Sequence, residues 1–200
     1  MCGQAMGKIC ERLKKEGVAM REFSALDFFA REGDWQTVVY AKEVKSLEAW
    51  EINPEFLPGL QRKLPGATLR IVDSYAYGAE TSQRFDFVVR DNPQATFGPN
   101  GRYCEHFEAL PVALRLLRPG AFLIFNLNRA PFNFAEHPEW LRRRAAFYAT
   151  VDTSALSLEG FLLPFYAEYF AARGFSVVQS FAQPRNDEYL AYAVFRLTST

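Results

Sequence analysis

Apolar positions in this chain come in two kinds, short compact runs and longer stretches at helical spacing, and the two kinds alternate. A compact apolar run bounded by charged or turn-forming residues predicts a strand buried on both faces, since successive side chains point to opposite sides of a sheet. Residues 23–30 form the first such run and end in charged residues and glycine; residues 46–52 form the second, ended by Asn53-Pro54. Residues 68–72, ended by Asp73-Ser74, are the third, and residues 85–89, followed by the turn-forming Asp91-Asn92-Pro93, are the fourth. Residues 121–127 are the fifth. Residues 5–17, 55–64, 103–117, 136–149 and 158–173 predict helices, the first stopped at Gly17 and the third closed by Arg118-Pro119-Gly120. Two last apolar runs, 175–180 and 189–197, flank a polar turn at 183–188 and predict an antiparallel hairpin.

Strands alternating with helices imply an α/β fold, with a mostly parallel sheet covered by helices on both faces. Two hundred residues suit one domain whose core needs no disulfides, so 1–200 reads as a single domain, opened by an N-terminal helical segment over 1–20. Residues 129–170 interpose a long aromatic stretch before the hairpin, including Phe132, Phe134, Trp140, Phe147 and Tyr166. It reads either as a lid over the sheet edge or as helices packing the core.

Basic and acidic residues balance at 23 each, for a formal net charge of zero. That argues against a surface that grips nucleic acid throughout, and leaves a local patch open. Arg142-Arg143-Arg144 is the candidate patch, with a solvated helix face as its plain alternative. The cysteines, Cys2, Cys10 and Cys104, form no CxxC pair and no spaced His/Cys set, so no metal site is expected and a reducing compartment is. The amino terminus has no signal-peptide run, and no apolar stretch nears the roughly 20 residues of a membrane helix. The expectation is a cytoplasmic protein without a membrane partner, its oligomeric state open.

Ligands of open α/β sheets sit outside the carboxyl ends of the strands, where strand order reverses. Asp27, Glu51 and Asp73 end the first three predicted strands, and Asp91 lies just past the fourth. One such acid is ordinarily a solvated residue or a helix cap. Four along one sheet edge point to a binding site.

The segment Leu26-Asp27-Phe28-Phe29-Ala30-Arg31-Glu32-Gly33-Asp34-Trp35-Gln36-Thr37 resembles the first motif of class I S-adenosylmethionine (SAM)-dependent methyltransferases, of the LDLFAGxG kind. Ala49-Trp50-Glu51-Ile52-Asn53-Pro54 is similar to their acidic motif after the second strand, and residues 85–93 are similar to their fourth motif. The resemblance covers roughly residues 20–128. It implies a three-layer Rossmann-like methyltransferase fold, with a mostly parallel seven-stranded sheet ending in an antiparallel hairpin, and SAM as cofactor. The cofactor contacts it implies fall on Asp27, Ala30, Arg31 and Gly33, on Glu51 and Ile52, and on Asp73 and Ser74. Glu51 would accept the ribose hydroxyl protons. Asp73 with Ser74 would meet the adenine amino group, and Asp27 would order the loop or reach the ammonium. Arg31 departs from the motif, which has glycine there to permit a positive φ and a close backbone approach. Its side chain would fill the methionine end of the pocket, pair with the methionine carboxylate or point to solvent. NAD, the competing nucleotide, wants G-x-G-x-x-G after the first strand, and residues 27–37 contain only Gly33.

Asp91-Asn92-Pro93-Gln94 is similar to the D/N-P-P-Y motif of amino-group methyltransferases, in which a side chain and a backbone carbonyl orient an NH2 nucleophile and an aromatic ring stacks on the base. Asp91, Asn92 and Pro93 are therefore the catalytic candidates. Gln94 replaces the aromatic, Phe97 is a substitute nearby, and an Asx-Pro turn is the plain alternative. His106 is a candidate general base or a capping residue, His137 a turn residue, and Cys104 has no identifiable activating partner. Three functions follow. One is a SAM-dependent methyltransferase with an unidentified acceptor: a small molecule, or alternatively nucleic acid or protein. Another is a non-catalytic binding or scaffold subunit of the same fold. The third narrows the first to a nucleic-acid amino-group methyltransferase.

Overall fold

The structure, a computed structural model, describes residues 2–91, 93–129, 136–149, 156–185 and 189–200. Asn92, Phe132 and Phe134 lie outside the described residues. Strands β1 (Ser24–Asp27), β2 (Ser46–Glu51), β3 (Thr68–Ile71) and β4 (Phe85–Arg90) are followed by a separate two-stranded ribbon, β5 (Thr96–Phe97) and β6 (Tyr103–Cys104). Then come β7 (Leu117–Asn128), β8 (Phe175–Pro184) and β9 (Leu190–Ser199). The main sheet has seven strands in the order β3-β2-β1-β4-β7-β9-β8. β1, β2, β3, β4 and β7 are parallel, and β9 runs antiparallel to both β7 and β8. Strand order reverses between β1 and β4, which opens a crevice beyond their carboxyl ends.

Side chains alternate across the sheet, and both faces are buried, which is why the strands read as unbroken apolar runs. Ala25, Phe87, Val89, Phe122 and Ile124 face α1 (Cys2–Lys15), α2 (Thr37–Tyr40) and α3 (Leu57–Lys63), meeting Met6, Ile9, Leu13, Tyr40 and Leu60. Leu26, Trp50, Val88, Leu123 and Phe125 face the other way. There they pack with Leu110 of α5 (Leu110–Arg115), Trp140 of α6 (Pro138–Tyr148) and Phe170 of α7 (Leu163–Ala171). Between β3 and β4 lies α4 (Ser74–Glu80). No helix among the described residues is long and apolar enough to cross a membrane.

Several boundaries differ from the apolar pattern, each for a local reason. β1 stops at Asp27, because that carboxylate accepts from Phe29 N–H and turns the chain. The helix expected over 103–117 shrinks to α5, since Glu105 takes a left-handed φ of 47° and its N–H closes on Ala95 C=O at 2.9 Å. Residues 103–104 are thereby recruited to the ribbon. β7 begins at Leu117, which pairs with Phe85, and passes through Gly120 at φ 78° instead of breaking there. The stretch 158–173 opens with a π-helical turn, Leu158–Leu162, ahead of α7. The hairpin strands β8 and β9 are longer than their apolar runs.

Candidate functional site

A cavity of about 780 Å³ lies at the carboxyl edge of the sheet. Glu51, at the end of β2, stands on its wall. Glu51 Oε2 accepts from Arg31 N–H at 2.7 Å and Oε1 from Asn53 N–H at 2.8 Å, so the carboxylate is fixed by backbone on both sides. An ionised carboxylate has about four lone-pair sites, and these two bonds leave it able to accept more. Ile52, which follows, is 66% exposed and gives the cavity an apolar flank. Asp73 and Ser74 close the same end. Asp73 Oδ1 caps α4 by accepting from Tyr75 and Ala76 N–H, and Ser74 Oγ donates to Phe28 C=O at 2.7 Å.

The first-motif residues divide. Arg31 adopts φ 48°, the left-handed conformation for which glycine is the default. Its side chain lies over Trp35, 5.2 Å from the ring centre, and beside Phe56 at 5.8 Å, and the cavity persists with Arg31 on its wall. Asp27 is fully buried beneath the crevice and is not among the residues lining it. Asp27 Oδ2 accepts from Thr37 Oγ1 at 2.5 Å and Tyr40 OH at 2.8 Å, which ties the loop to α2. Burial pushes its carboxyl up to about 6 despite these donors. Ala30 is buried, its N–H bound to Trp50 C=O at 2.9 Å. Gly33, at φ 69°, packs on α3: a Cβ there would come within 2.9 Å of Leu64 Cδ1. Its need for glycine is thus met by helix packing, away from the cavity.

On the other flank, Asp91 Oδ1 accepts from Arg185 Nη1 at 3.0 Å and Oδ2 from Tyr192 OH at 2.8 Å. Burial pushes the Asp91 carboxyl up and the Arg185 charge pulls it back. Pro93 lies on the same wall with Asn126 and Leu190. The remaining wall is aromatic. Tyr75 and Tyr103 stack with centroids 3.9 Å apart, Phe97 lies 5.6 Å from Tyr103, and Phe29 meets Phe97 edge-on at 6.4 Å.

Of the sequence-predicted patch Arg142-Arg143-Arg144, the last two are engaged within the protein and the first stays at the surface. Arg142 pairs with Glu139 at 2.7 Å. Arg143 pairs with Glu108 and donates to Gly101 and Arg102 C=O, bracing the back of the ribbon. Arg144 is buried and pairs with Glu105 at 2.5 Å. His106 is enclosed rather than at a helix start: it is fully buried, bonded through Nε2 to Tyr166 OH and packed on Phe125. Burial and two nearby arginines hold it well below the usual histidine range, hence neutral, and it does not line the cavity. Burial raises the Cys104 thiol to about 12, which removes it as a nucleophile at neutral pH. Among the described residues no cluster of three or more His, Cys, Asp or Glu is arranged to hold a metal ion. Sequence reasoning missed Trp35, Tyr75, Tyr103 and Arg185, all on the wall. Only Trp35, inside the first motif, carried a signal.

No protein-family model matches the chain, and a search of curated sequences finds no match. Solved structures do match. The N-methyltransferase NodS from Bradyrhizobium japonicum WM9, in complex with S-adenosyl-L-homocysteine (SAH), aligns at TM-score 0.59 and 14% identity, over 95% of this chain and 84% of that one. The magnesium protoporphyrin IX methyltransferase from Synechocystis PCC 6803, with bound SAH, aligns at TM-score 0.59 and 13% identity, over 99% and 83%. A SAM-dependent methyltransferase from Thiobacillus denitrificans, also with SAH, aligns at TM-score 0.53 and 16% identity, over 95% and 91%. These overlaps, together with the seven-stranded sheet and its antiparallel hairpin, show that the chain has the class I SAM-dependent methyltransferase fold.

Proposed function

We propose that this chain is a SAM-dependent methyltransferase whose acceptor sits in the same cavity as the cofactor. The observation that carries the reading is the Glu51 carboxylate, braced by two backbone N–H groups on the wall of a cavity at the strand-order reversal. A fixed carboxylate suits a ribose diol, which offers two hydroxyl donors. Ile52 supplies the apolar surface for an adenine ring, and Asp73 the polar edge beside it. Arg31 contributes its N–H to the Glu51 brace, while Asp27, Ala30 and Gly33 hold the loop from below. The SAH carried by structural neighbours agrees with this choice of ligand.

The cofactor supplies a methyl group already activated by its sulfonium, so the protein's work is largely orientation, worth roughly 7–11 kcal/mol in favourable cases. Asp91 is suited to receive a hydrogen bond from the acceptor's nucleophile, because Arg185 and Tyr192 fix both its oxygens. Pro93 and Asn92 complete that candidate group, Asn92 lying outside the described residues. The test is calorimetry with SAH on the wild type and on Glu51→Ala. Binding that weakens about 10–100-fold in the variant supports the reading, that being the scale of one charge-assisted hydrogen bond. No binding by the wild type ends it.

Arg31 at the glycine position favours a second reading, a non-catalytic binding or scaffold subunit. Methyl transfer from SAM by the isolated chain would exclude it. The nucleic-acid form of the first reading draws less support from Arg143 and Arg144, which are engaged by Glu108 and Glu105, while Arg142 stays at the surface with Glu139.

A further inference from the structure

We propose, resting on the methyltransferase reading, that the methyl acceptor is a small planar aromatic molecule bearing an anionic group, seated against the Phe29–Tyr75–Phe97–Tyr103 wall and attracted by the buried guanidinium of Arg90 behind it. The four rings contact one another as one aromatic cluster, Tyr75 stacked on Tyr103 and Phe97 edge-on to Phe29, and an aromatic ligand can add to such a cluster edge-on or offset-stacked.

The charge preference comes from what lies behind the wall. Arg90, at the end of β4, is fully buried. Its Nε and Nη2 have no hydrogen-bond partner, and Nη1 reaches only His106 C=O, at 3.4 Å. Among the described residues it forms no ion pair; it rests on the faces of Phe28 and Phe29, at 5.1 and 5.2 Å. Phe29 also lines the cavity, so the guanidinium sits one side chain behind the wall. The hydroxyl of Tyr75, on the same wall, is likewise buried without a partner. Buried polar groups are nearly always satisfied, and an unmet guanidinium enclosed behind an aromatic wall projects its positive charge across that wall, where low-dielectric surroundings screen it little and favour a negatively charged ligand. Burial lowers Arg90 only to about 10, so it stays charged at neutral pH. The cavity's own lining is balanced, with Glu51, Asp73 and Asp91 against Arg31, Arg102 and Arg185, so the charge of Arg90 behind it is in excess. Arg102, one of the balancing cations, lies 5.3 Å from the Tyr103 ring on the same wall.

The test uses the full chain saturated with SAH and titrated with naphthoate, neutral naphthalenemethanol, cyclohexanecarboxylate and a single-stranded RNA oligonucleotide. Naphthoate is expected to bind about tenfold more tightly than either the neutral aromatic or the ringless acid, the scale of a Coulomb attraction across one intervening side chain for the first comparison and of ring contact for the second. That preference should fall towards unity in Arg90→Met. Tyr75→Phe, which removes only the unpartnered hydroxyl, should narrow it and carries the test if Arg90→Met does not fold. Equal affinity for naphthoate and naphthalenemethanol overturns the proposal. So does a preference unchanged in both variants, or tighter binding of the RNA. SAH binding without the preference defeats this proposal alone; absence of SAH binding by the wild type defeats the methyltransferase reading beneath it.

Discussion

Asp27 and Glu51 end neighbouring parallel strands at the same edge, yet their surroundings give them different work. Glu51 binds backbone N–H groups and keeps a face on the cavity, whereas Asp27 is enclosed by Thr37, Tyr40 and Phe29 N–H. For Asp27, burial outweighs three hydrogen bonds and raises the carboxyl from 3.8 to about 6. A raised acid binds its proton more tightly when folded, so its stabilising contribution is full at low pH and is lost as pH climbs through the folded value. Asp27→Asn does not titrate. Relative to wild type it should therefore gain about 2 kcal/mol between pH 4 and 7, read as the difference in urea midpoints across that range. A pH-independent difference would mean that Asp27 is not desolvated as described. Burial likewise pushes the Glu105 carboxyl up, but here a charged partner, Arg144, pulls it back. Its carboxylate is buried against Arg144 at 2.5 Å and Trp140 Nε1 at 2.7 Å. Arg144→Ala strands that charge, and a loss of about 3–5 kcal/mol in chemical denaturation is expected, as for other broken buried pairs. Combining it with Glu105→Gln should recover part of the loss.

Elements whose stability comes from their own apolar runs were legible from sequence, and those imposed by distant partners were not. β2, β3 and β4 were apparent because each is a compact run ended by a turn signal. α4 gave no such signal: it is seven residues long, and Gly78 lies in its middle because a Cβ there would come within 2.6 Å of Val112 on α5. The ribbon was hidden for a related reason. Residues 103–117 keep helical spacing, but the left-handed Glu105 and the bracing by Arg143 from α6 recruit 103–104 into strand. Gly33 shows a motif residue whose purpose only the packed elements reveal, since it lets the first loop lie against Leu60 and Leu64 of the α3 region. Gly33→Ala should cost about 1–3 kcal/mol, from a side chain forced to φ 69° and overpacked on Leu64, and urea unfolding would measure it. A neutral result would show that α3 yields without cost.

At the scale of the whole molecule, the site is assembled from sequence-distant parts, which sets the limit on what a linear reading can reach. The acids at the strand ends were legible because each follows its own strand. The partners of Asp91 were not, lying 94 and 101 residues further along on the terminal hairpin. Hairpin, ribbon and first loop all meet at one cavity, so a ligand bound there should stabilise the fold that joins them. Ligand at a hundredfold above its Kd adds about 2.7 kcal/mol to the folded state. For a chain of this length that corresponds to a rise in Tm of roughly 5–10 °C. A Glu51→Ala variant with about 10–100-fold weaker affinity would, at the same SAH concentration, keep about half of that gain or less. Differential scanning fluorimetry of both proteins from zero SAH upwards separates the two contributions, because loss of Glu51 changes the unliganded Tm by a fixed amount while loss of affinity moves the onset of the rise to higher SAH. Equal rises above the respective unliganded Tm at every SAH concentration would place the ligand away from Glu51, and a flat line for the wild type would leave the cavity without its cofactor.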